Sequence, residues 1–137
     1  MDIRDSLELM LSEPDQLFSR RFYQNFFTHH SEIQDLFAGV DLTRQRILLN
    51  IALQAMVTHF LRPYPAMKNY LRYLGHKHHQ RGIDASDYGK FEISLLTTLG
   101  TFHGKDWDDQ LAKQWRLACQ GATAVMAEGH ADNFSVE

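Results

Sequence analysis

Apolar residues recur along this chain at steps of three and four, and no segment sustains the every-second-residue alternation of a strand. Ile3, Leu7, Met10 and Leu11 space out as one face of a short first helix. Ser12 and Asp15 have the spacing of a capping box, and Pro14 suits the first turn of a second helix. That helix carries Phe18, Phe22 and Phe26 at i, i+4 and i+8, flanked by Leu17, Tyr23 and Phe27. So many rings on one helix call for a wide apolar partner.

His29-His30-Ser31-Glu32 reads as a corner, followed by a short segment from Ile33 to Phe37 and a break at Gly39-Val40-Asp41. Asp41 is a fair N-cap for a helix running to about Phe60 through Leu42, Leu49, Ala52, Leu53 and Met56. Gln45 shares the face of Leu49, which places a polar residue on an inward stripe. Pro63 and Pro65 end that helix, and the next runs from Met67 to His79 with Gly82 as a left-handed C-cap. Asp84 or Ser86 is expected to cap a helix with the stripe Tyr88, Phe91, Leu95, Leu99 and Phe102, closed by Gly104. Asp106 is expected to open a last helix with Leu111, Trp115, Ala118, Ala122 and Val125 facing in, ending near Gly129. The expectation is an all-α single domain of about six main helices with a polar tail from about residue 130. How those helices pack is not fixed by periodicity.

Composition narrows the function classes. A chain of 137 residues, 44% hydrophobic and 23% charged, is one globular domain. Its net charge of -3, with Lys and Arg spread along the sequence, provides no footprint for nucleic acid. Cys119 is the single cysteine, so no intrachain disulfide forms and nothing calls for an oxidising compartment. The N-terminus lacks the pattern of a signal peptide. The most apolar window, Ile47 to Val57, is interrupted by Asn50 and Gln54 and falls far short of the roughly 20 residues that span a bilayer. A cytoplasmic location is the expectation.

One residue stands out against this pattern. Met67, Leu71, Leu74 and His78 follow one another at steps of 4, 3 and 4, so the histidine continues an inward stripe. A buried imidazole needs a partner, either a backbone carbonyl in the core or a ligand. His76, His78 and His79 lie at i, i+2 and i+3, spread around the helix, and do not converge on one zinc ion.

The segment Phe22-Tyr23-Gln24-Asn25-Phe26-Phe27-Thr28-His29-His30-Ser31-Glu32-Ile33-Gln34-Asp35-Leu36-Phe37 resembles the second-helix-to-corner region of bacterial globins, close to FYxxxFxxxPExxxLF. Leu74-Gly75-His76-Lys77-His78-His79-Gln80-Arg81-Gly82-Ile83-Asp84-Ala85-Ser86-Asp87-Tyr88 resembles their haem-ligand region, a Lys-His run before a Gly-Ile turn and a tyrosine. The likeness is closest to flavohaemoglobin-type and single-domain haemoglobins. It implies a globin fold in place of a compact bundle, with haem b as cofactor.

Carried over by position, the resemblance implies that His78 is the proximal iron ligand, its other nitrogen fixed by a hydrogen bond. His76 and His79 then point to solvent or to haem propionates. Phe37 would pack on the haem face and Leu49 would form an apolar wall. Tyr23 and Gln45 would be distal donors to a bound gas. Each also has a plainer role: core packing for Phe37 and for Tyr23 on its ring-rich helix, and a solvated side chain for Gln45. Tyr88 matches a tyrosine that in flavohaemoglobins bonds the ligand histidine and a glutamate of the last helix, and its plainer role is a helix-start aromatic. This chain departs at the glutamate, offering Asp132 with Glu128 a turn earlier. It departs also at Ser31, where many relatives have proline.

The function implied is reversible binding of O2, with NO and CO as further ligands, at a five-coordinate iron. His59 and His29 are the candidates for a sixth ligand. The same resemblance implies conversion of nitric oxide to nitrate, which here requires an external reductase because the sequence holds no glycine-rich dinucleotide fingerprint. A different class of function is the input domain of a haem-based gas sensor cut from a larger signalling protein. The stretch before Tyr23 is shorter than the extension such sensors carry. Nothing in the sequence speaks to oligomeric state.

Overall fold

The computed structural model describes residues 1–132. It contains seven α-helices and no strand among the described residues: α1 Ile3–Ser12, α2 Leu17–His29, α3 Ser31–Gln34, α4 Leu42–Leu61, α5 Pro65–Gln80, α6 Asp87–His103 and α7 Asp109–Gly129. Six are long, as the periodicity predicts, and α3 is a single turn inside the corner. The residues after 132, which hold most of the expected polar tail, lie outside the described residues.

Side-chain caps fix several helix starts. Asp2 and Asp5 form a reciprocal capping box at α1, and the Asp41 carboxylate accepts from the amides of Thr43 and Arg44 at α4. Other starts differ from expectation. Ser12 turns its hydroxyl back to the Leu9 carbonyl and caps nothing. Asp15 and Gln16 instead take φ of 57° and 55°, so two consecutive left-handed residues redirect the chain into α2 through a 3-10 turn. Asp106 lies in another 3-10 turn, and Asp108, two residues later, caps α7 by accepting from Leu111. Neither Asp84 nor Ser86 caps α6 with its side chain, because they bond each other.

The end of α5 follows the expected pattern. Gly82 has φ of 87°, its amide donates to His79 O, and the Ile83 amide donates to His78 O, which is a Schellman motif. The motif fixes how the chain leaves the helix directly after His78.

Helix α2 packs on α6, α4 on α7, and α5 on α7. The last contact is backbone to backbone. A Cβ built on Gly75 would lie 1.9 Å from the Met126 carbonyl oxygen, and one on Gly129 would lie 1.9 Å from that of Arg72. The two glycines let α5 and α7 approach more closely than any side chain would permit.

Phe18, Phe22, Leu53, Leu95, Leu99, Trp115 and Cys119 form the centre of the core. Trp115 Nε1 donates to Ser6 Oγ at 2.9 Å, and Ser6 Oγ sits 2.6 Å from His103 Nε2, so these three side chains of α7, α1 and α6 satisfy one another. Burial pushes the Cys119 thiol up to about 12. Among the described residues no helix is long and apolar enough to cross a membrane.

Candidate functional site

On the α2 side, Tyr23 is buried among rings. Its centroid lies 5.2 Å from Phe22, 5.5 Å from Phe27 and 5.7 Å from Phe37, which itself sits 5.2 Å from Phe27. The repeat of aromatics on α2 and the turn after α3 build this cage, since Phe37 reaches back across the corner. Gln45, on the first turn of α4, donates from Nε2 to the Tyr23 hydroxyl at 3.2 Å. Burial raises the Tyr23 phenol to about 12, partly offset by that bond, so the hydroxyl keeps its proton at neutral pH. Leu49 is buried one turn along α4 on the same face. Tyr23, Phe37 and Gln45 are thus in mutual reach, with Leu49 beside them.

On the α5 side, His78 is half-buried. Burial holds its imidazole at a pKa of about 4, helped by the positive charge of Arg81 and by His130, so the ring is uncharged at neutral pH. Its Nδ1 is buried and has no hydrogen-bond partner among the described residues. The expected hydrogen bond fixing the second ring nitrogen is therefore missing. The Tyr88 ring lies 6.3 Å from that of His78, centroid to centroid, but its hydroxyl meets His130 Nε2 at 2.7 Å. Burial and the charge of Asp87 raise the Tyr88 phenol to about 12.

Asp132, which the sequence offers near the place of the relatives' glutamate, is engaged elsewhere. Asp132 accepts two bonds from Arg72, at 2.9 and 2.7 Å, and holds α5 instead of the tyrosine. His130 was missed in the sequence because a histidine after the last apolar residue reads as polar tail. The signal was present: Met126 to His130 is a step of four on the inward face of α7. His79 is exposed and stacks on His130 at 4.9 Å.

His29 bonds the Asn25 carbonyl on the outside of α2. His59 lies fourteen residues beyond Gln45 on α4, about 21 Å along the axis at 1.5 Å per residue. Neither shares the Tyr23 region. A cavity of about 240 Å³ between α4 and α5 is lined by Ile51, Gln54, Ala55, Thr58, Met67 and Tyr70, toward the end of α5 away from His78.

The residues present fit haem. The imidazole of His78, uncharged at neutral pH on the inward face of α5, is a nitrogen donor in the form a metal requires. Among the described residues no cluster of three or more His, Cys, Asp or Glu side chains could hold a bare metal ion. An aromatic cage with one buried hydroxyl suits a largely apolar group carrying a small polar ligand. Helix order and packing define an all-α protein with an aromatic cage on one side and an uncharged inward imidazole on the other. A family model described as Globin matches residues 20–126, and the chain belongs to the globin family. Haem and a small gas such as O2 are what that membership implies the chain binds. No curated protein matches the chain.

Proposed function

We propose that this globin binds O2 reversibly at a five-coordinate haem b, with His78 as proximal ligand and Tyr23 and Gln45 as distal donors, in the manner of bacterial flavohaemoglobin-type and single-domain haemoglobins. The observation that carries the reading is the uncharged imidazole of His78 on the inward stripe of α5, on the helix turn that a Schellman motif fixes. Bound haem supplies an iron whose open face takes a diatomic gas, NO and CO included. The protein does the rest. Because Gln45 donates to the Tyr23 oxygen, the phenolic hydrogen remains available to a ligand. Phe37 and Leu49 keep the surroundings apolar, which strengthens each such bond.

Nitric oxide dioxygenation with an external reductase is the less supported reading. Tyr88 meets His130 where relatives with that activity place a carboxylate, and without that charge the push toward the iron is weaker. A sensor role would add an output domain to the same site, and a longer native chain would favour it.

The test is a visible spectrum of the haem-reconstituted protein, with and without dithionite and carbon monoxide. A Soret band that shifts with CO and is lost in His78→Ala is expected. No Soret band after reconstitution, or one unaltered in that variant, overturns the reading.

A further inference from the structure

The last residues of α7 and the turn after it do more than close the helix. At Gly129 the backbone of α7 presses on that of α5, where a Cβ would lie 1.9 Å from the Arg72 carbonyl oxygen. One residue on, His130 meets the Tyr88 hydroxyl at 2.7 Å and stacks on His79 at 4.9 Å and 30°. Asp132 then grips Arg72 through both oxygens. These contacts bracket the part of α5 from Arg72 to His79, and His78 lies inside the bracket. The Tyr88 ring lies 6.3 Å from that of His78, centroid to centroid, with its hydroxyl bonded to His130 while His78 Nδ1 stays buried without a partner among the described residues.

We propose that His130 is a positioning residue of the proximal side: by holding the Tyr88 hydroxyl it keeps that group off the His78 ring, so His78 is placed by the packing of α5 on α7 alone. This rests on His78 being the haem ligand. The consequence is electronic as well as steric. A hydrogen bond from Nδ1–H to an acceptor makes the opposite ring nitrogen more basic, and His78 goes without it. Freeing Tyr88 from His130 lets the phenol oxygen accept that hydrogen and strengthen the bond to iron.

The test is the iron–histidine stretching band of the ferrous, haem-loaded full chain by resonance Raman spectroscopy. The band must first vanish in His78→Gly and return with added imidazole. His130→Ala is expected to move it to higher frequency. His130→Gln, whose amide still reaches the hydroxyl, is expected to keep the wild-type band, and His130→Ala combined with Tyr88→Phe is expected to return it. A His78-dependent band that ignores His130→Ala overturns the proposal alone. So does a shift that persists when Tyr88 is Phe, or that His130→Gln fails to prevent. A band indifferent to His78→Gly takes down the ligand reading, and the proposal with it.

Discussion

The Tyr23 side and the His78 side treat their buried polar atoms in opposite ways. On the first, hydroxyl and amide satisfy each other at 3.2 Å inside a ring of phenylalanines held by side-chain packing. On the second, the helices touch backbone to backbone through two glycines, and His78, three residues past Gly75, has a buried nitrogen without a partner among the described residues. An unsatisfied buried polar atom costs about 1–3 kcal/mol. The Tyr23 side pairs its phenol oxygen internally and leaves the phenolic hydrogen for a ligand. The His78 side is rigid, and its imidazole keeps a buried nitrogen that no side chain or backbone group among the described residues satisfies.

The rigidity half of that contrast is open to the largest perturbation. Gly75→Ala or Gly129→Ala places a methyl 1.9 Å from a carbonyl oxygen of the neighbouring helix, so α5 and α7 must part. Each is expected to destabilise the chain by about 3 kcal/mol, at the upper end for overpacking, in chemical denaturation. Phe27→Leu in the opposite cage is expected to cost less than half as much. Equal losses would mean that the two sides are equally rigid.

The burial of the proximal imidazole has a pH signature in the haem-free chain. Folded His78 titrates at about 4 and an unfolded histidine near 6.5, so above pH 6.5 both states are neutral and the stability is fully present. As pH falls from 6.5 to 4 the unfolded state takes up a proton that the folded state refuses. Stability is expected to drop by at most about 3 kcal/mol over that window, and His78→Leu to flatten the slope. Denaturation midpoints measured at pH 7, 6, 5 and 4 would show it. An unchanged slope in the variant would assign the acid sensitivity elsewhere.

The distal side offers smaller effects. Tyr23→Phe removes one ligand hydrogen bond and is expected to speed O2 release by roughly tenfold, since about 1.4 kcal/mol is a factor of ten. Gln45→Leu, which acts through the tyrosine, is expected to change release by about threefold. Stopped-flow displacement of O2 measures both. A larger effect at Gln45 than at Tyr23 would reverse their roles.

Much of this organisation was legible in the sequence. The stripe Met67, Leu71, Leu74, His78 placed the histidine on an inward face, and Gly82 marked its helix end, because both depend on local geometry. Asp41 likewise capped α4 as expected. What spacing did not disclose depended on distant contacts. Ser12 and Asp15 have the separation of a capping box, yet two left-handed residues set the entry to α2, a conformation that local preference disfavours. Asp106 and Asp108 are equally good caps in isolation, and the 3-10 turn decided between them. Asp132 and Tyr88 looked like partners until Arg72, sixty residues from the aspartate, claimed it. His130 reads as the start of a polar tail unless its step of four from Met126 is followed past the last apolar residue.

Cys119, the single cysteine of the chain, lies fully buried with a thiol that resists ionisation. That makes it a clock. A thiol reagent can reach it only when the core opens, so its labelling rate reports how often the whole molecule comes apart and how much the cofactor slows that event.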